Sequence, residues 1–460
     1  MTGPAQNALY AALFGDPQTE ALFSAEAELA AMARVEAALA IAQSQLGVIP
    51  ADAGPAIAAA CTALRIDPQD LAQATARNGV PVPGLIAAIR DQMGRTPHAA
   101  HLHWGATSQD IMDSALALRI GPMLALWEGR LHAVLTRLAG LAADHADLLM
   151  AARTYGQAAT PTGFGAVVAG WGWRLLDQEQ AMPALRDRVL RVSLSGAAGT
   201  LSAMGPQGPA VRQAMARALH LCDPGRSWHS DRSGPGHLAD WIAGLAAALG
   251  KLAEDLLMMT QSGIGTVVIA GGGASSTMPQ KRNPVGPSAM VALARHAMGL
   301  AATFRAAGLH RQQRDGAAWF TEWLTLPPLC VAGGTLLRTA DDVLARLTPD
   351  ATAMARDLQT GHGTIHAEAL TFALTEHTAL DRATAAARVA DLCAQALREG
   401  RDLTELARGA WPGPDWPALI RARSLGQAPL EARAFDSAVR AASGAAVLDA
   451  GHVGAVPAPL

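Results

Sequence analysis

The 460-residue chain is longer than one ordinary domain, so two or three domains, or one elongated domain with end pieces, is the expectation. Half of its residues are hydrophobic but only 4% are aromatic and 16% charged, so a core must come from Ala, Leu, Val and Met, which suits close helix–helix packing better than sandwiched sheets. A formal net charge of −3 excludes a basic footprint for nucleic acid and a polybasic membrane patch, while leaving room for local cations around an anionic substrate.

The N-terminal stretch MTGPAQNALYAALFGDPQTE has no positive segment followed by an apolar one, so no secretory signal is read there. From Ala25 to Leu46 apolar residues recur at helical spacing, and Gly47 is placed to end that helix. Pro and Gly then cluster at Asn78–Gly84 and at Gly94–Asp110, the pattern of connections around an exposed loop. Helical periodicity returns over Ile111 to about His145, Gly165–Val192, Ala239–Ser262 and Pro284–Leu309; four such long segments separated by Gly- and Thr-rich breaks predict a bundle. Apolar runs are cut by charge before spanning length, as at Arg174 and Lys251, which argues against a membrane span. GTVVIAGGG, Gly265 to Gly273, is the best strand candidate. After about Asp350 shorter helices follow, with a break at Trp411–Pro417, and the tail GHVGAVPAPL reads as loosely ordered. No repeat is present. Cys61, Cys222, Cys330 and Cys393 are scattered without a CxxC pair, which argues against a disulfide framework or zinc ribbon and fits a reducing cytoplasm.

The most informative segment is GGGASSTMPQKRNPVGPSAM, Gly271 to Met290. Three glycines and two serines make a loop whose backbone N–H groups can turn toward an anion. Lys281 and Arg282 add positive charge and Asn283 a neutral donor, just before Pro284 can open a helix. The plainer reading is a flexible surface loop with two solvated cations. The string is not a phosphate-binding P-loop, because Lys281 lacks the preceding Gly and the following Ser/Thr, nor is it GxGxxG after a strand.

SSTMPQKRNP resembles the signature loop of the fumarase/aspartase superfamily, roughly G-S-S-x-M-P-x-K-x-N. The resemblance gives Ser275 the role of the base that removes a proton α to a carboxylate, with Lys281 and Asn283 stabilising the dianion and Ser276 and Met278 contacting substrate. Ala274 departs from the usual Gly. HLHWGATSQDIMDSA resembles a second region of that family's site, making His103, Thr107, Ser108 and Gln109 candidate contacts. A metal reading of His98, His101 and His103 lacks both a shared helical face and an acidic partner. AARTYGQAATPTGFG resembles a third region, so Arg153, Thr154 and Gln157 carry over. Each of these polar residues alone could equally be a cap or turn former.

In fumarases and the argininosuccinate and adenylosuccinate lyases a histidine follows that Arg-Thr pair and works with a glutamate five positions after the loop Asn. Here the two positions hold Tyr155 and Ser288. A lyase that expels an amine or hydroxide needs a general acid. A lactone that opens by expelling a carboxylate does not, because the conjugate acid has a pKa of about 4. The missing dyad therefore suits a cycloisomerase. The stretches Leu13–Pro50, Ser227–Arg232 and Trp319–Pro327 are similar to those of 3-carboxymuconate cycloisomerases, and Arg232 and Arg314 fall where that family places cationic substrate contacts, although either could be an ordinary surface arginine.

The resemblance implies an all-α, three-domain fold, with a helical N-terminal domain over 1–110, a long central bundle over 111–355 and a helical C-terminal domain over 356–460. It also implies a cytoplasmic homotetramer with sites shared between subunits, a small tricarboxylate substrate, no nucleic-acid or membrane partner, and no cofactor or metal. An adenylosuccinate-type lyase and an inactive structural homologue stay open as alternatives.

Overall fold

The computed structural model describes residues 7–274 and 277–450. Its longer helices include α1 over Ala25–Gln45, α2 over Ser108–Asp144, α3 over Phe164–Gln180, α4 over Ser233–Met259, α5 over Val285–Ala306 and α6 over Gly316–Ala345. The fold is all-α as expected, with further helices completing it and three two-stranded ladders among the described residues. No described helix is long and apolar enough to cross a membrane.

Local chemistry sets the helix ends. Ser24 caps α1 by accepting a hydrogen bond from the Ala27 N–H at 3.1 Å, and the chain leaves that helix through Gly47 at φ +70°. The helix expected over 165–192 is broken at Ala181, because Pro183 brings no N–H and opens a second helix, Met182–Val189.

Helix α6 was not among the predicted segments. Pro327, Pro328, Gly333 and Gly334 read as breakers in sequence, yet all four lie inside it. The glycines serve packing: a Cβ on Gly333 would stand 2.9 Å from Cη2 of Trp127, a fully buried side chain. At Gly334 a Cβ would run into Asp16 and Thr19. Those residues form a buried knot in which the Arg130 guanidinium donates to both Asp16 oxygens at 2.6 and 2.9 Å, Thr19 Oγ1 donates to Asp16 at 2.5 Å, and Trp127 Nε1 donates to Thr19 at 3.1 Å.

Contacts divide the chain into two compact units. The first comprises 1–130, 178–247 and 292–338; the second comprises 131–177, 248–291 and 339–460. The expected boundaries at 110 and 355 lie elsewhere in this grouping. The first unit has a core of Leu39, Ile57, Leu85, Ile111 and Val211 among others. The second contains a cluster of Leu370, Leu374, Val389, Leu403 and Trp416.

All three ladders belong to the second unit. Strands β1, Leu149–Thr154, and β2, Gln157–Gly163, form an antiparallel hairpin that sequence reading did not anticipate. Its two-residue turn, Tyr155 at φ +51° and Gly156 at φ +77°, has both central residues left-handed, the geometry that matches the strands' twist. Strand β3, Val267–Ile269, lies inside the predicted GTVVIAGGG and pairs with β6, Leu347–Pro349. Between them β4, Gly273–Ala274, pairs with β5, Arg282–Asn283, so the signature loop is the end of a small hairpin.

Candidate active site

In the first unit the candidate residues gather where α2 begins. Asp110, fully buried, accepts from the backbone N–H of Thr107 at 3.0 Å, which ties down a donor that the helix start leaves unpaired. The same carboxylate accepts from the N–H groups of Ser195 and Gly196 at 2.8 and 2.9 Å and meets His229 Nε2 at 2.8 Å. It thereby fastens the 193–196 segment and the SWHSDR stretch to the helix start. The half-buried hydroxyls of Thr107 and Ser108 make no hydrogen bond among the described residues and are free to meet a ligand.

Gln109 is fully buried and its amide is spent on the protein: Nε2 donates to the His229 carbonyl at 2.9 Å, and Oε1 accepts from Arg314 Nε at 2.9 Å. Arg314 also donates from Nη2 to the Ala197 carbonyl at 3.3 Å. Gln109 therefore holds Arg314 in position.

His103 stands at φ +62° with Nδ1 2.6 Å from Oε1 of the buried Glu36. Burial pushes its pKa down, but the Glu36 hydrogen bond and charge outweigh that, so it binds its proton more tightly than an ordinary histidine.

Arg232, at the end of that SWHSDR stretch, is not a free cation. It is buried, donates to Asp113 at 2.7 and 3.0 Å and to Glu322 at 2.8 and 2.7 Å, and stacks on Trp228 with its guanidinium carbon 4.9 Å from the ring centre. Two carboxylates already occupy its donors, which speaks against its expected place as a substrate contact.

In the second unit the β1–β2 turn presents Arg153, Thr154, Tyr155 and Gln157. Thr154 and Gln157 are exposed and Tyr155 wholly so, while Arg153 Nη2 donates to both oxygens of Asp357 at 2.6 and 2.7 Å. Ala151 at the hairpin's base is buried against Leu358 and Ile365, so the tip projects from a fixed root.

The signature hairpin is held by close backbone approach. A Cβ on Gly272 would stand 3.1 Å from the Asn283 carbonyl oxygen, and one on Gly273 would stand 2.9 Å from Val285 Cγ2. At the tip the Lys281 N–H donates to the Met278 carbonyl at 3.0 Å. Met278 and Lys281 are exposed and Asn283 half-buried; Ser275 and Ser276 lie outside the described residues. Ser288, where dyad-bearing relatives have a glutamate, donates its hydroxyl to the Pro284 carbonyl at 3.0 Å.

A family model described as Lyase matches residues 12–299. The 3-carboxy-cis,cis-muconate cycloisomerase of Pseudomonas aeruginosa is 38% identical over 402 residues, covering 86% of this chain and 87% of that protein. The chain belongs to the lyase family. The crystal structure of 3-carboxy-cis,cis-muconate lactonizing enzyme from Pseudomonas putida matches this lyase with a TM-score of 0.88 at 32% identity, covering 95% of this chain and 100% of that one. Trans-aconitate decarboxylase 1 of Mycosarcoma maydis is 33% identical over 401 residues, covering 86% of this chain and 80% of its own. The fold of the lyase is thus that of the fumarase/aspartase superfamily.

Sequence reading passed over Glu36, Asp110 and His229, which set the position of candidate residues. Asp110 carried a signal: it stands three residues after Thr107 at a helix start, the spacing of a reciprocal cap. Glu36 and His229 carried none, because each meets its partner across 67 and 119 residues.

Proposed function

We propose that this lyase interconverts 3-carboxy-cis,cis-muconate and its carboxymuconolactone. Similarity along most of the chain to the Pseudomonas cycloisomerases is the observation that carries this reading. The chemistry of Tyr155 and Ser288 supports it, since neither can act with the other as the histidine–glutamate acid that an amine or water lyase requires.

In the lactone-forming direction one substrate carboxylate adds to the alkene carbon β to another carboxylate. Negative charge gathers on that second carboxylate as a dianion. Lys281 and Asn283 stabilise it, each well-placed donor contributing about 3 kcal/mol. Ser275 then delivers a proton to the α carbon, and in the reverse direction removes it. Arg314, aimed by Gln109, and the hydroxyls of Thr107 and Ser108 bind the remaining carboxylates, with Arg153, Thr154, Gln157, Ser276, Met278 and His103 completing the contacts. A tricarboxylate calls for such a set of cations and neutral donors.

The same reading makes the protein a cytoplasmic homotetramer whose sites draw on more than one subunit. The wholly exposed Tyr155 at the hairpin turn supports it, because a left-handed tyrosine open to solvent suits a surface that another copy completes.

The test is product analysis with purified protein offered 3-carboxy-cis,cis-muconate, adenylosuccinate and trans-aconitate in separate reactions. Loss of the diene's ultraviolet absorbance with lactone identified by NMR is the expected result. Fumarate from adenylosuccinate, or carbon dioxide from trans-aconitate, with the diene untouched, would overturn the reading.

A further inference from the structure

The first unit contains a cavity of about 600 Å³ beside the N-terminal end of α1, walled also by α6 and by the helix Pro68–Asn78. That volume falls within the range of small-molecule sites. Its wall is chiefly apolar, with Phe23, Leu29, Met32, Trp319, Trp323 and Leu326 among its residues. None of the residues assigned above to substrate binding lines it.

One side chain does not suit an apolar wall. Arg119 is only 9% exposed, yet its guanidinium makes no hydrogen bond among the described residues, and its Nε is sealed from solvent without a partner. The nearest carboxylate, Glu28 Oε2, lies 3.6 Å away, beyond hydrogen-bond reach, and that side chain is one-third exposed. The Phe23 ring centre is 5.6 Å from the guanidinium carbon. Two other carboxylates face the cavity, Asp113 and Glu322, but both are bound by Arg232. A guanidinium carries five N–H donors and no acceptor, so burying one without acceptors is unfavourable unless a partner arrives.

We propose that this cavity is a binding site for a small monocarboxylate with an aryl or alkyl body. The carboxylate accepts from the Arg119 Nη groups and displaces Glu28 toward solvent, and the apolar body lies against Trp319, Trp323 and Met32. Planar carboxylate recognition is what a guanidinium does better than any other side chain. The seat Glu28 leaves is at the first turn of α1, where a negative charge is favoured by the helix's unpaired N–H groups. The site is distinct from the proposed reaction and does not depend on it.

Calorimetric titration of the purified full-length protein with phenylacetate, hexanoate and the neutral phenylacetamide tests the proposal. Saturable binding of the two carboxylates is expected, with the amide at least about tenfold weaker. Arg119→Met should weaken carboxylate binding by at least about tenfold, while its melting temperature stays level or rises because a buried cation without hydrogen-bond acceptors has gone. Glu28→Gln should tighten carboxylate binding by removing the competing charge, and it keeps Arg119 in place should the methionine variant fold poorly. Carboxylate binding that is unaltered in both variants, equal affinity for the amide, or no binding of any of the three would overturn the proposal.

Discussion

Arg232 holds together two buried carboxylates, Asp113 and Glu322. Removing it leaves Asp113 and Glu322 buried without their guanidinium, so Arg232→Met should lower the unfolding free energy by about 3–5 kcal/mol. A urea denaturation series reads that loss; unchanged stability with a raised KM would return Arg232 to the substrate. His103 gives a prediction in pH. Its folded pKa lies above the ordinary 6.5, so its protonation favours the folded state. That contribution is full below 6.5 and disappears as pH rises through the higher folded value. Glu36→Gln removes its cause, so the stability gap between wild type and this variant should narrow as pH is raised from about 6 to 9. A gap that widens with pH would show the opposite coupling. These pairings were beyond sequence reading because Arg232 and Arg314 look alike as letters. Only the fold puts one between two carboxylates and hands the other to Gln109.

Among elements, the long helices were legible where periodicity ran unbroken, as in α1 and α2. They were illegible where packing overrode local preference. Helix α6 keeps its two glycines because Trp127 and the Asp16–Thr19 knot press against its backbone, and no propensity sum over that stretch contains those partners. Gly334→Ala should force a methyl into the knot and lower stability by about 1–3 kcal/mol, readable as a lower urea midpoint. An unchanged midpoint would mean that the knot can yield. The β1–β2 hairpin was missed for a different reason. Its turn is Tyr-Gly rather than the Asn-Gly or Asp-Gly that announces a two-residue hairpin, and the tyrosine takes up the left-handed conformation all the same. The signature hairpin was legible as a motif but not as a ladder, since β4 and β5 have two residues each.

For the whole molecule, an Ala-, Leu- and Met-rich composition pointed to helices, and helices form the cores of both units. The grouping of the chain into two discontinuous units was not readable, because contacts between distant stretches decide it. The central functional claim is that a hydroxyl on the glycine-rich hairpin moves the proton in a reaction whose leaving carboxylate needs no acid. Turnover of 3-carboxy-cis,cis-muconate by wild type and Ser275→Ala, followed side by side in the ultraviolet, tests it most directly. Diene consumption by the wild type is expected, with a kcat at least about 100-fold lower in a folded Ser275→Ala protein. Turnover of the variant at the wild-type rate would contradict it.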